Sequence, residues 1–167
     1  MKIAVIGPSG SGKTTVARQL AERHGLPHVE LDALHWGPNW TECPADEFRA
    51  RVERALSEVG WVVDGTYHGK LGDSVLDQAD LVVWLDLPLR VVARRVCVRT
   101  LRRIRTREEL WNGNRETWGE AFFRRDSLML WLVTTHRAHR RLYLERLDRY
   151  EFVRLRSQRE IEAWLAP

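Results

Sequence analysis

Cysteine is scarce in this sequence, and long apolar runs are absent. Two cysteines, Cys43 and Cys97, occur among 167 residues, and their spacing fits neither a metal site nor a redox motif. We therefore expect free thiols rather than a disulfide framework. No apolar run approaches the roughly 20 residues of a transmembrane helix, and the apolar start at residues 1–6 is too short for the core of a signal peptide. We expect a cytoplasmic protein with no membrane partner.

Acidic residues are fewer than basic ones. Lysine and arginine outnumber aspartate and glutamate by 27 to 23, which leaves a net charge of +4. A basic balance favours anionic ligands such as nucleotides, phosphorylated metabolites or nucleic acid, and does not choose among them. Because the chain also lacks internal repeats and has the length of one ordinary domain, we expect a single globular domain over residues 1–167.

Short apolar runs alternate with amphipathic stretches, an order that predicts an α/β fold with a parallel sheet. Five runs have the length and composition of buried parallel strands: residues 2–6, 27–31, 60–63, 81–85 and 152–155. Start and stop signals predict five helices: from Gly12 or Lys13 to Gly25, from Pro44 to Gly60, after Pro88, over residues 127–147, and after a capping box at Ser157 and Glu160.

Residues 7–14, GPSGSGKT, match the phosphate-loop pattern of a glycine, four residues, a glycine, a lysine, and a serine or threonine. Its glycines let backbone N–H groups close around phosphate oxygens, and the start of the next helix adds a favourable potential. In such a loop Lys13 reaches the β and γ phosphates and the Thr14 hydroxyl binds Mg²⁺. We therefore predict an ATP and Mg²⁺ site whose loop consists of Gly7, Pro8, Ser9, Gly10, Ser11, Gly12, Lys13, Thr14 and Thr15.

Two absences narrow the class of phosphate-loop protein. There is no Asn-Lys-x-Asp segment for guanine, which argues against a GTPase, and the chain is short for a motor or ring ATPase. Small kinases remain, and the chain resembles the adenylate-kinase-like group, more closely the bacterial proteins labelled FlaR-type or DNA topology modulation proteins. Four segments besides the phosphate loop carry the resemblance: LDALHW at 31–36, WVVDGTY at 61–67, ADLVVWLDLP at 79–88 and LWNGNRE at 110–116.

The resemblance implies a three-layer P-loop nucleoside-triphosphate-hydrolase fold. Its five-stranded parallel sheet would have helices on both faces, with an arginine-rich lid at about residues 102–125. This segment is polar and poorly periodic, which is typical of a mobile cover rather than of a core.

The resemblance also implies a metal-site carboxylate. Asp64 corresponds to the Walker B group that holds Mg²⁺ through water. Asp86 also ends an apolar strand and stays an alternative, although an aspartate just before Pro88 is equally typical of a helix cap. The adenylate-kinase pattern continues with Phe-Pro-Arg where this chain has residues 66–68, TYH. The chain thus lacks an acceptor-side arginine there, which argues against a nucleotide acceptor.

Two arginines are candidates for handling phosphate. Arg95 and Arg99 lie four residues apart in the helix expected after the fourth strand, so they project from one face. Their spacing is similar to that of the lid-base arginines of adenylate kinases, which implies that one stacks on adenine while Arg99 neutralises the transferring phosphoryl group. The alternative is that these arginines only solvate a helix. Arg137, Arg140 and Arg141 on a later helix are weaker candidates.

Asp32 follows the second strand, and ligands of parallel sheets collect at the carboxyl ends of strands. A hydroxyl acceptor gains from a carboxylate that takes its proton, whereas an acceptor phosphate is bound by arginines. Residues 24–48 contain no lysine or arginine, which favours a hydroxyl acceptor, and Trp36 or Trp40 could stack on a flat ring. The alternatives are a turn aspartate and ordinary packing of the tryptophans. Trp61 and Trp84 are expected in the core, and His136 and His139 are expected to be structural.

These residues predict an ATP-dependent kinase that phosphorylates a hydroxyl-bearing small molecule such as a nucleoside. One alternative is a nucleoside monophosphate kinase. Another, from a different class, is an ATP-binding regulatory or DNA-topology-associated protein. A nucleic-acid partner is not favoured, because the arginines lie in segments that a kinase needs and no nucleic-acid-binding motif is present. Nothing in the sequence separates a monomer from a dimer.

Overall fold

Five parallel strands form the centre of the fold in the computed structural model, which describes residues 1–119 and 128–166. They are β1 (Lys2–Ile6), β2 (His28–Glu30), β3 (Trp61–Asp64), β4 (Leu81–Leu85) and β5 (Phe152–Leu155), in the order β2-β3-β1-β4-β5. Because β1 lies between β3 and β4, the loop that follows β1 emerges at the middle of the sheet's carboxyl edge. The predicted fold class is confirmed.

Helices cover both faces of the sheet. They are α1 (Lys13–His24), α2 (Leu31–His35), α3 (Ala45–Ala55), α4 (His68–Leu71), α5 (Leu89–Thr106), α6 (Leu128–Leu144) and α7 (Gln158–Leu165). The local signals act as expected at two of them. Helix α1 ends where Gly25 adopts a left-handed conformation, and α7 begins where the Ser157 hydroxyl accepts the Glu160 backbone N–H.

Two apolar layers hold the sheet between the helices. On one face, side chains of β1 and β4 pack against α1, α5 and α7, with Val96 and Leu20 fully enclosed. On the other, alternate residues of the same strands pack against α3 and the end of α6. Trp61 and Trp84 belong to this second layer and are buried, as predicted. Both cysteines are free thiols, and no helix within residues 1–119 and 128–166 could span a bilayer.

Several predicted boundaries differ from the structure, among them the end of α6, at Leu144 rather than 147, and β3, which is Trp61–Asp64 rather than 60–63. Helix α3 ends at Ala55 rather than at Gly60, because Leu56 turns into the core while Val59 is 92% exposed. The second strand is shorter than 27–31, since Leu31 already begins α2. The predicted lid begins inside a helix, because residues 102–106 continue α5. The predicted start of α6 at residue 127 and the lid residues 120–125 lie outside the described residues.

Candidate active site

The phosphate loop lies between β1 and α1 and is pressed against α5. Gly10 makes the closest contact: a Cβ atom built there would lie 2.7 Å from Val96 Cγ2 and 2.8 Å from the Val92 carbonyl oxygen. Its φ of +79° is one that glycine adopts easily. Gly12, at φ +96°, forms the N-cap of α1. The glycines therefore permit both the turn of the loop and its approach to α5.

The loop is closed by its own backbone and by its lysine. The Ser11 N–H donates to the Pro8 carbonyl oxygen over 3.1 Å, and Lys13 Nζ lies 3.4 Å from the same oxygen. Lys13 therefore folds back over the loop at the place where phosphates bind in loops of this pattern. Thr15 lies in the first turn of α1 and is exposed.

Thr14, in the first turn of α1, meets Asp64 at the end of β3. The Thr14 hydroxyl donates to the Asp64 carboxylate, and Asp64 is buried beside Val5 of β1. Hydroxyl and carboxylate oxygens are the ligands that Mg²⁺ prefers, so this pair fits a magnesium ion that keeps several waters. Among the residues that the structure describes, no cluster of three or more acidic, histidine or cysteine side chains forms a metal cage.

Asp86 lies in a different environment from Asp64. Only 8% of it is exposed, and its carboxylate accepts from Arg154 Nη2 at 2.5 Å and from Arg140 Nε at 3.0 Å. The interpretation of Asp86 as a helix cap was wrong, because α5 begins after Pro88 and no side chain caps it. Asp86 instead ties β4 to β5 and α6, with its charge neutralised by two guanidinium groups.

The remaining α6 candidates divide between the surface and the phosphate loop, because His136 and His139 line a small cavity together with Pro8. Arg137 and Arg141 are exposed. His136 Nε2 lies 3.1 Å from the Leu87 carbonyl oxygen, and the His139 ring meets the edge of Trp131 at 5.9 Å. Burial, and then the positive charges of neighbouring groups, lower the pKa of His139. Lys13 is one of these groups, so His139 lies within electrostatic range of the phosphate loop.

Arg99 reaches the phosphate loop from α5. Its Nη2 donates to Ser9 Oγ at 3.2 Å, while its buried Nε has no hydrogen-bond partner within residues 1–119 and 128–166. Burial, followed by the nearby charge of Arg103, lowers the pKa of Arg99. Arg95 touches the same loop at the Ser11 carbonyl oxygen, 3.5 Å away, and also donates to a side chain of α7. A partly unsatisfied guanidinium beside a phosphate loop is placed to bind an anion.

Asp32 lies in the first turn of α2 and not at the end of a strand. It accepts a hydrogen bond of 2.5 Å from Tyr67 Oη. The Tyr67 ring packs on His35 and Phe48, with centroids 4.6 Å and 5.1 Å apart. Burial, and then the charge of Asp32, raise the pKa of Tyr67. Sequence reasoning missed Tyr67, although its place three residues after Asp64 was a usable signal.

A cation does reach the segment that lacks basic residues. Lys70 of α4 places its Nζ 2.6 Å from the Glu42 carboxylate and 3.5 Å from His35 Nε2. Burial, and then Lys70, lower the pKa of His35, which is 2% exposed. The absence of lysine and arginine in residues 24–48 therefore did not exclude a nearby cation. Its charge, however, is paired with Glu42.

Residues 111–114 dock onto the loop at residues 36–40. Asn114 Oδ1 accepts the Trp40 backbone N–H, and its Nδ2 donates to the Gly37 carbonyl oxygen, each over 2.8 Å. Trp111 Nε1 donates to Glu30 at 2.9 Å. The Trp40 ring meets Trp36 edge to face at 5.6 Å, so the two tryptophans pack on each other. This part of the predicted lid is anchored to the acceptor side.

Comparison with known proteins places this arrangement in a family. The family model described as AAA domain matches residues 3–119, from β1 through the docked loop. The chain belongs to the AAA domain family. Among curated proteins, this AAA domain is 34% identical over 108 residues to the cytidylate kinase of Pyrococcus furiosus. The match covers 58% of the chain, and the chain spans little more than half, 56%, of that kinase.

Solved structures share the fold over nearly the whole chain. A gluconokinase from Sinorhizobium meliloti is 24% identical to this AAA domain, with a TM-score of 0.54 over 98% of the chain and 90% of the gluconokinase. A shikimate kinase from Bacteroides thetaiotaomicron is 18% identical, with a TM-score of 0.58 over 99% of the chain and 94% of that kinase. At these identities the likeness concerns the fold.

Proposed function

We propose that this protein is a kinase that transfers the γ-phosphoryl group of ATP to a hydroxyl group of a small molecule, such as a nucleoside or a related metabolite. The observation that carries the proposal is the grouping of three chemistries around one loop. Thr14 with Asp64 offers oxygen ligands, Arg99 offers positive charge at Ser9, and Asp32 offers a carboxylate within electrostatic range of Arg99. Phosphoryl transfer depends on these elements of positioning and charge.

The transfer would follow an in-line displacement. The acceptor oxygen forms a bond to the γ phosphorus while the bond from that phosphorus to the β,γ-bridging oxygen breaks, and ADP leaves with the electron pair. Asp32 takes the proton of the acceptor hydroxyl. Lys13 and Arg99 hold the phosphoryl oxygens and offset their growing charge. Thr14 and Asp64 would hold Mg²⁺, which would supply further charge neutralisation when bound.

The lid belongs to the same proposal. The part of the lid that follows α5, from residue 107, would cover the phosphates and exclude water, which suppresses hydrolysis of ATP. We also propose that the chain belongs to the FlaR-type or DNA topology modulation proteins and that residues 1–167 form a single domain. Arg95 is proposed to lie beside the nucleotide. The docked residues 111–114 support a lid whose base is fixed on the acceptor side.

A nucleoside monophosphate kinase is the second candidate, and one finding favours it. The curated relative at 34% identity is named a cytidylate kinase. Against it stands the acceptor side, where Lys70, the cation nearest His35, is already paired with Glu42. The third candidate, an ATP-binding regulatory or DNA-topology-associated protein, would bind ATP and have no acceptor.

One assay separates these candidates. ADP release is measured with ATP and Mg²⁺ against nucleosides, other hydroxylated metabolites and nucleoside monophosphates. We expect turnover with a hydroxyl acceptor, its abolition by Lys13→Ala, and normal turnover by Lys2→Ala at the far end of β1. Asp32→Asn is expected to lower kcat by roughly 10²- to 10⁴-fold, whereas Asp46→Asn, on an exposed turn of α3, is not.

Several results would contradict the proposal. Turnover restricted to monophosphates would favour the second candidate. ATP binding without any acceptor, together with tight specific DNA binding in a gel shift at physiological salt, would favour the third. Full activity of Asp32→Asn would remove Asp32 from the chemistry.

A further inference from the structure

The hydroxyl group of Tyr67 makes a contact that the proposed function does not yet use. It donates to Asp32 Oδ1 over 2.5 Å, although the two residues are 35 positions apart in the chain. No donor within residues 1–119 and 128–166 is bonded to the other carboxylate oxygen of Asp32. One oxygen is therefore held by the protein, and the second is left to receive a proton from outside.

Tyr67 has an unfavourable backbone conformation. Its φ of 45° and ψ of 43° lie in the left-handed region, which a bulky residue other than glycine seldom occupies. Such conformations persist where surrounding contacts outweigh them, and they collect at functional sites. Here the contacts are those of the Tyr67 ring with His35 and Phe48 and the hydrogen bond of its hydroxyl to Asp32.

The same short connection carries both halves of the site. Tyr67 follows Asp64, the last residue of β3, by three residues. The end of β3 and the short loop after it therefore present the carboxylate that meets Thr14 and the hydroxyl that meets Asp32. The arrangement suits a reaction in which both must be aligned.

On the basis of the proposed kinase function, we propose that Tyr67 is a positioning residue, whose hydroxyl fixes the Asp32 carboxylate so that its free oxygen faces the acceptor hydroxyl. A carboxylate held by one donor keeps a single orientation. Tyr67 does not itself touch the reacting atoms. Burial and the charge of Asp32 raise the pKa of Tyr67, so it stays a donor at physiological pH.

The charged groups that face this pair come from several elements. Arg99 on α5 acts on Asp32, and Glu42, in the loop before α3, acts on Tyr67. His35 lies on α2, in ring contact with Tyr67 and within the field of Asp32. None of these three donates to the Asp32 carboxylate in the residues that the structure describes. Removing the phenol hydroxyl therefore breaks its hydrogen bond to Asp32, together with its hydrogen bond to Trp36.

The test replaces the hydroxyl and leaves the ring. Tyr67→Phe is expected to lower kcat for the acceptor about 10- to 100-fold, the range for a hydrogen bond to a charged group. The KM for ATP should stay the same. The matched control is Tyr150→Phe, which removes the tyrosine-to-aspartate bond to Asp77, outside the site. Its kcat and its KM for ATP should equal those of the unaltered protein.

A second measurement does not depend on turnover. Tyr67→Phe, Asp32→Ala and the double variant are compared by urea denaturation, and a direct contact makes their effects non-additive. An additive cycle would overturn the inference alone, with transfer by the unaltered protein intact. A coupled cycle with normal kcat in Tyr67→Phe would also overturn it, because the contact would then only stabilise the fold. No transfer to any acceptor by the unaltered protein would overturn the proposed function and, with it, this role.

Discussion

A methyl group added at Gly10 tests whether the phosphate loop depends on its close contact with α5. The new Cβ would lie 2.7 Å from Val96 Cγ2 and 2.8 Å from the Val92 carbonyl oxygen, one of which is backbone that cannot rotate away. The φ of +79° adds strain for any residue with a Cβ. Left-handed backbone costs an alanine about 1–2 kcal/mol, and overpacking costs about 1–3 kcal/mol more. We expect Gly10→Ala to lower the free energy of unfolding by about 2–5 kcal/mol.

The assay compares three glycine variants by urea denaturation and by ATP calorimetry. Gly12→Ala has a φ of +96° and open space around it, so it should lose only the backbone share, about 1–2 kcal/mol. Gly69→Ala, in α4 with open space and no positive φ, should lose nothing. ATP affinity should fall about tenfold or more in Gly10→Ala, since each 1.4 kcal/mol is tenfold. Equal losses in Gly10→Ala and Gly12→Ala would refute the argument from contact with α5.

Three further predictions concern polar contacts. Arg154→Leu takes one guanidinium from buried Asp86 and should lower the free energy of unfolding by about 3 kcal/mol, measured by urea denaturation. Burial, and then Lys70, lower the pKa of His35, so the native state disfavours its protonation. The contribution of neutral His35 to the free energy of unfolding should be fully present above the ordinary histidine pKa of about 6.5. Below that pH the free energy of unfolding should fall by at most about 1.4 kcal/mol per pH unit. His35→Gln should reduce that slope in denaturation curves at successive pH values. Asn114→Ala removes two hydrogen bonds and should speed hydrogen exchange of the Trp40 amide, with a loss of about 1–3 kcal/mol.

Matched variants control these predictions. Arg149→Leu breaks an ion pair of a 62% exposed arginine and should cost under about 1 kcal/mol; a loss as large as that of Arg154→Leu would contradict the reasoning on buried charge. His24→Gln, at an exposed position, should leave the pH slope unchanged, and an unchanged slope in His35→Gln would count against the role of His35. Gln19→Ala, at an exposed position of α1, should leave the Trp40 amide exchange as it is.

The fold was largely predictable because its signals are local. Val62 and Val82 lie in short apolar runs that suit strands covered on both faces, and the sheet contains both. Gly25 ends α1 through its backbone conformation, and Ser157 begins α7 through a side-chain hydrogen bond. Neither signal needs a partner that is distant in the chain. The end of α3 was missed because the turn of Leu56 into the core depends on packing beyond the helix.

The candidate site likewise has a part that local sequence predicts and a part that it does not. The sequence by itself determined the phosphate loop, since glycine spacing, Lys13 and Thr14 are one continuous pattern. Only the tertiary structure decided which aspartate meets Thr14, because Asp64 and Asp86 end equivalent apolar runs and differ only in what lies across from them. The functional roles of Lys13, Asp32 and Arg99 stay predictions until the assays are done.

Partners that are distant in the chain account for the rest. Tyr67 and Asp32 are 35 residues apart, and Asn114 and Trp40 are 74 apart. Such pairs form because the strand order β2-β3-β1-β4-β5 brings the carboxyl ends of separate strands to one edge. Residue spacing along the chain sets helix and strand periods, whereas strand order is a property of the packed sheet. The sequence thus determined the elements and the phosphate loop, and the folded sheet alone decided which side chains meet beside it.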